Sequence, residues 1–162
     1  MQANSLIETG IIVVVATALC WAAITDLRYR RISNGLCISI AGLFLVFATL
    51  QTIQGDGWKP VWVWPVVSAL IVFAAGAALF AAGLMGGGDV KLMAATALFA
   101  GPALSLSFIL YVTIAGGFIA VATLLHARFK SLDSSQAKVP YGVAIALGGM
   151  WVCFQRVSAL SA

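Results

Sequence analysis

Charge is scarce in this chain. Of 162 residues, only five are acidic and nine are basic, whereas 62% are hydrophobic. A soluble domain of this size could not bury so much apolar surface, so the composition excludes a soluble globular protein and indicates an integral membrane protein. A hydrocarbon core about 30 Å thick requires roughly 20 apolar residues per helix, which leaves no room for a sizeable soluble domain. We therefore expect one transmembrane domain over residues 1–162.

Cysteine and histidine are also scarce. The single histidine and three widely spaced cysteines fit neither a disulfide framework nor a zinc motif, so no metal or cofactor is expected. The basic residues flank apolar segments and are not interleaved with aromatic residues in a stripe, so the expected partner is the lipid bilayer and not nucleic acid. We expect the cysteines to be small buried hydrophobes, namely Cys20, Cys37 and Cys153.

Hydropathy predicts an all-α membrane protein, a polytopic bundle of about six transmembrane helices. The fourth segment has 12 residues and would extend about 18 Å, less than the thickness of the hydrocarbon core. Gly101-Pro102 predicts the break between the fourth and fifth segments. The six segments cover residues 8–25, 34–53, 61–83, 89–100, 103–126 and 139–157.

The distribution of lysine and arginine predicts the topology. Short cytoplasmic loops carry the excess of these residues, and the loops after the first and fifth segments are the basic ones. Both termini are then expected outside the cytoplasm, with Trp58, Trp62 and Trp64 at the outer interface. The residues on the basic side are Arg28, Arg30, Arg31, Lys91, Arg128, Lys130 and Lys138, against Lys59 and Arg156 on the other side.

Two of the five acids adjoin apolar segments. Asp26 follows the first segment and Asp89 begins the fourth, so the two intervening helices return the chain to the same membrane face. Each alone could cap a helix, and Asp26 could also neutralise nearby arginines. Because acids at membrane depth are costly and usually mark function, the pair favours a functional interpretation. Glu8, Asp56 and Asp133 are interpreted as ordinary solvated residues.

Three glycines precede Asp89. Gly86, Gly87 and Gly88 carry no side chains, so another peptide could approach Asp89 closely. A flexible loop is the simpler alternative, whereas a phosphate cradle is disfavoured because the Walker spacing and the preceding strand are missing. Lys91 lies about 200° round a helix from Asp89 and is expected to extend towards the interface.

These motifs together resemble the type IV prepilin peptidases, membrane aspartic proteases with an early aspartate and a later G-x-G-D motif. Residues 26–34 are similar to the family's D-x5-I-P-N pattern, with Ser33 in place of proline, and residues 86–92 to G-x-G-D-x-K-L. Residues 140–142 are similar to its P-[YF]-G segment. The chain lacks the paired C-x-x-C motifs and the N-methyltransferase domain of larger members, so it resembles the short, peptidase-only form associated with Flp pili.

The resemblance implies an aspartic endopeptidase that removes the short basic leader of prepilins at the cytoplasmic face of the bacterial inner membrane. Prepilins, or pseudopilins with one apolar helix, would be its substrates, Asp26 and Asp89 its catalytic pair, and no metal would be needed. Two close carboxylates cannot both ionise cheaply, so one would serve as base and the other as acid. The remaining motif or substrate-binding residues would be Asn34, Gly86, Gly87, Gly88, Lys91, Pro140, Tyr141 and Gly142.

Two other function classes use the same residues differently. In a small proton-coupled transporter, Asp26 and Asp89 would carry protons along a translocation path. Such a protein should place its acids near mid-membrane and contain an inverted repeat, whereas both acids lie at segment ends and no repeat is apparent. An adaptor that only assembles pilus components would tolerate loss of either carboxylate.

Overall fold

The computed structural model describes residues 2–129 and 140–161, and in these ranges the secondary structure is helical without a strand. Five α-helices are present, each long and apolar enough to cross a membrane. The prediction of an all-α polytopic membrane protein is confirmed. The helices are α1 (Gln2–Tyr29), α2 (Asn34–Ile53), α3 (Trp64–Ala81, preceded by a π-helical turn at Lys59–Val63), α4 (Gly87–Phe129) and α5 (Tyr141–Ser161).

Helix α4 is interrupted at the predicted break. Its 43 residues would measure about 65 Å if straight, twice the thickness of a hydrocarbon core. Gly101 has φ 58° and ψ −172°, backbone angles that are essentially restricted to glycine, and Pro102 follows it without an N–H to donate. We call the two parts α4a (87–100) and α4b (102–129).

Contacts with α5 give the direction of α4a. A Cβ added at Gly149 of α5 would lie 3.0 Å from the Thr96 side chain. Further along both helices, Nε of Arg156 donates a hydrogen bond to the carbonyl oxygen of Phe99 at 2.7 Å. Residue numbers therefore increase together on the two helices, and α4a runs parallel to α5.

Helix α4b runs in the opposite direction. A Cβ at Gly116 would lie 3.4 Å from the Tyr141 ring, at the start of α5, and one at Gly148 would lie 2.8 Å from Val112. The chain therefore reverses at Gly101, and α4a and α4b form an antiparallel pair against α5. The expected count of about six segments corresponds to five helices in the described residues, of which the fourth is divided by this reversal into α4a and α4b.

Helix α1 packs antiparallel to α5 through small residues. A Cβ at Gly149 would lie 2.6 Å from a methyl group of Leu19, and Leu19 is fully buried. Nearer the other end of the contact, Asp26 of α1 meets Gly142 of α5. Glycine at such crossings lets two helix backbones approach closely, which brings the end of α1 to the beginning of α5.

We expect Gly101→Ala to destabilise the fold. The positive φ is strained for any L side chain, and the added Cβ would lie 3.1 Å from Nη2 of Arg156. The free energy of unfolding should fall by about 1–3 kcal/mol, measured as a lower melting temperature in detergent. Gly10→Ala is the matched control, because a Cβ at Gly10 meets nothing within 4 Å. An unchanged melting temperature in Gly101→Ala would mean that the reversal tolerates other backbone angles.

The interpretation of Glu8 as a solvated residue is wrong. Its side chain is only 2% exposed and accepts a hydrogen bond from the Gln54 amide just after α2. Helix α1 begins at Gln2, six residues before the predicted segment, so Glu8 lies within the α1–α2 packing. Asp56 is exposed as expected, whereas Asp133, Lys130, Lys138 and the predicted start of the last segment at Val139 lie outside the described residues.

Candidate active site

Asp26 lies in the last turn of α1 and is 6% exposed. Its Oδ2 accepts a hydrogen bond of 2.8 Å from the backbone N–H of Gly142, in the first turn of α5. The first N–H groups of a helix have no partner within the helix and carry a partial positive charge. Asp26 therefore supplies the acceptor for α5 and is itself held in place by that helix.

Glycine is required at position 142 by this contact. A Cβ added there would lie 2.8 Å from both Cβ and Oδ2 of Asp26, closer than any ordinary carbon contact. The preceding Tyr141 packs its ring against Gly116 of α4b, and Pro140 is half-buried just before α5 begins. Of the three motif residues, Gly142 is the one that touches the carboxylate.

Asp89 lies in the first turn of α4 and is half-buried. Its Oδ2 accepts a hydrogen bond of 3.2 Å from the backbone N–H of Gly86. The carbonyl oxygen of Gly86 in turn accepts from the N–H of Val90 at 3.2 Å. The carboxylate is thus turned back over the glycine segment, and a Cβ at Gly86 would lie 2.7 Å from it.

The other two glycines allow neighbouring segments to pack against the start of α4. A Cβ at Gly88 would lie 3.2 Å from the Cβ of Ile32 and 3.4 Å from its carbonyl oxygen, and one at Gly87 would lie 3.4 Å from the Phe80 ring. Ile32 belongs to the connection between α1 and α2. The protein's own chain, at Ile32 and Phe80, therefore packs closely against these two glycines.

The two acids lie at the same end of the bundle. Ile32, which follows α1, packs against Gly88, which directly precedes Asp89, so the end of α1 lies beside the start of α4. These residues come from helices that are far apart in sequence. Carboxyl groups placed at the same end of a bundle are candidates for general acid and base chemistry.

Arg30 ends α1 with an unusual backbone conformation. Its φ is 51°, in the left-handed region, and its N–H donates to the carbonyl oxygen of Asp26 at 2.8 Å. A non-glycine residue in this region is uncommon and tends to occur at functional sites.

Lys91 and Asn34 contact each other and neither acid. Nζ of Lys91 donates a hydrogen bond of 2.9 Å to Oδ1 of Asn34, and both side chains are exposed. Ser33, which replaces the family's proline, is the N-cap of α2, because its hydroxyl accepts from the N–H of Gly35 at 3.2 Å. The start of α2 is therefore fixed to α4a by Lys91 and capped by Ser33.

We expect Lys91→Met to have a small effect. An exposed hydrogen bond to a charged group contributes about 1 kcal/mol or less, so the free energy of unfolding should fall by no more than that. Thermal unfolding of Lys91→Met, Asn34→Ala and the double variant measures the interaction free energy between the two side chains. The double variant should be no less stable than either single variant, whereas additive losses would mean that the two side chains act independently.

The candidate site contains two acids, Asp26 and Asp89. Within residues 2–129 and 140–161, no three side chains from His, Cys, Asp and Glu come together as a metal ligand set would. The two carboxyl groups are oriented by backbone N–H groups, of Gly142 for Asp26 and of Gly86 for Asp89.

Residues 13–121, about two-thirds of the chain, match the model of the type IV leader peptidase family. The chain belongs to this family. The matched region of the peptidase includes Asp26, Asp89 and the three glycines, whereas Gly142 lies beyond it. No curated protein and no solved structure matches the chain. The resemblance to prepilin peptidases is thus confirmed for the family, and with five apolar helices the peptidase is a multi-pass membrane protein.

Proposed function

We propose that the peptidase is a membrane-embedded aspartic endopeptidase that removes the leader from Flp-type prepilins, with Asp26 and Asp89 as its catalytic pair. The observation that carries this proposal is that both acids lie at one end of the bundle, where Ile32, just beyond α1, packs against Gly88, just before Asp89. One is held by the first turn of α5 and the other by the glycine segment before α4. Family membership supplies the reaction, hydrolysis of a leader peptide.

The pair can hydrolyse a peptide bond with one shared proton. Two neighbouring carboxyl groups favour a state in which one is ionised and the other protonated. The ionised carboxylate takes a proton from water, whose oxygen attacks the scissile carbonyl carbon, while the protonated carboxyl group donates a hydrogen bond to the carbonyl oxygen. Collapse of the tetrahedral intermediate breaks the C–N bond, and the leaving nitrogen receives a proton from the pair.

The proposed site faces the cytoplasm in the bacterial inner membrane. Arg28, Arg30 and Arg31 lie next to Asp26 at the end of α1 and just beyond it, and such basic clusters remain on the cytoplasmic side. A prepilin with a short leader and one apolar helix would present its cleavage point at this face. The transporter alternative has less support, because Asp26 and Asp89 both lie in terminal turns of their helices.

The test uses the purified peptidase in lipid vesicles with a synthetic Flp-type prepilin. We expect one cut that releases the leader, identified by the masses of both products, and a rate that a chelator such as EDTA changes by less than twofold. A prepilin of another pilus class serves as the specificity control. Release of no leader would contradict the peptidase assignment, and a rate abolished by EDTA and restored by a divalent metal would contradict the aspartic mechanism.

A further inference from the structure

An apolar groove opens between α3 and α4b, with a volume of about 420 Å³, which lies within the usual size of binding pockets. Along its sides are helix positions with small or apolar side chains, and Met85 and Tyr141 lie at one end. We call it the α3–α4b groove. Its defining residues are Gly76, Leu79, Met85, Thr113, Gly117 and Tyr141.

This end of the groove adjoins both acids. Met85 directly precedes Gly86, whose N–H donates to Asp89. Tyr141 directly precedes Gly142, whose N–H donates to Asp26. A chain segment lying in the groove would therefore reach the carboxylates as it leaves the groove at that end.

The chemistry of the groove suits an apolar helix. Among the residues that the structure describes, its lining includes no charged side chain. The Thr113 hydroxyl already donates a hydrogen bond to the carbonyl oxygen of Ile109. A Cβ at Gly117 would meet nothing within 4 Å, so this wall has space for an inserted side chain. The lining on α4b extends from Ile109 to Ala120, about 16 Å or three helical turns, which matches anchors at i, i+3 or i+4, and i+7.

We infer that the α3–α4b groove receives the apolar helix of the prepilin, which inserts the side chains of one face while the bond to be cut lies at the acids. This inference rests on the proposed function, because it takes a prepilin as the substrate. A second groove, between α2, α3 and α4a, has a volume of about 620 Å³ and is lined by Lys91 and Asn34 as well as Leu70. An ammonium group there makes that groove less suited to an uncharged helix.

Photo-crosslinking tests the location independently of catalysis. A benzoylphenylalanine at position 117, in the Asp89→Asn background, should crosslink the co-expressed prepilin at least tenfold more than the same group at position 10. Position 10 of α1 is equally open, since a Cβ there also meets nothing within 4 Å. Benzoylphenylalanine at position 70 tests whether the prepilin lies in the second groove instead. Equal crosslinking at 117 and 10, or stronger crosslinking at 70, would overturn the inference.

Cleavage kinetics separate this inference from the proposed function. Gly117→Leu should lower kcat/KM for the full prepilin at least tenfold, mainly through KM, while Gly10→Leu remains like the parent. A short peptide that contains the cleavage point without the apolar helix should be cut equally by all three proteins. Equal loss on the peptide would overturn the groove assignment. If the parent cuts neither substrate, the proposed function fails, and the crosslinking result still decides the groove.

Discussion

Asp26→Asn and Asp89→Asn are each expected to reduce prepilin processing to about 1% of the parental rate or less. Positioned acid and base groups typically contribute 10²- to 10⁴-fold, and an amide can neither take a proton from water nor donate one as an acid does. The side chain introduced by Asp26→Asn would still offer an oxygen to the N–H of Gly142, so the fold should persist. Processing is measured by the size shift of a co-expressed prepilin, normalised to the amount of peptidase in the membrane.

Asp56→Asn is the matched control for both variants. Asp56 is an exposed acid between α2 and α3, and its substitution should leave processing unchanged. If processing survives in either Asp26→Asn or Asp89→Asn at normal abundance, the two acids are not a catalytic pair. The transporter and adaptor alternatives would then account better for the two acids.

Gly142→Ala should lower activity by about two orders of magnitude with little loss of protein from the membrane. The added methyl group would lie 2.8 Å from Oδ2 of Asp26, so either the carboxylate or the first turn of α5 must move. A displacement of about 1 Å at a catalytic group can cost 10²-fold in rate. The measurement is kcat/KM on the purified variant with the same prepilin.

Gly42→Ala is the control for this substitution. Gly42 lies within α2, and a Cβ there meets nothing within 4 Å, so the helix should gain slight stability from alanine. Its kcat/KM should equal that of the parent. A Gly142→Ala peptidase with parental kinetics would show that the α5 N-terminus does not determine the position of Asp26 during the reaction.

The broad architecture of the peptidase could be predicted from its sequence because composition and hydropathy determine it directly. The break at Gly101-Pro102 was also predictable, since glycine and proline disfavour a continuing helix. The reversal of direction at that point was not, because it depends on how α4a and α4b both pack against α5. Because two whole helices separate Asp26 from Asp89, the sequence was sufficient to predict that both acids lie at the same end of the bundle.

Other features depend on tertiary contacts that no local pattern reveals. Glu8 is buried because α1 extends beyond the predicted segment and meets Gln54. Arg30 adopts a left-handed conformation where glycine would be the usual residue. Ser33, by contrast, had a local signal, since serine directly before an apolar helical run is a common N-cap. The contact of Gly142 with Asp26 required the antiparallel packing of α1 on α5.

Arg156 affects the relative position of Asp26 and Asp89, although it lies at the opposite end of the bundle. Its guanidinium holds the last carbonyl oxygens of α4a, at Phe99 and Ala100, while Asp89 lies in the first turn of the same segment. A slide of α4a along α5 by one turn, about 5.4 Å, would break the Arg156 bonds and carry Asp89 away from the carboxylate that Gly142 holds. The hydrogen bonds of Arg156 at one end of α4a therefore help to fix the position of Asp89, at its other end, relative to Asp26.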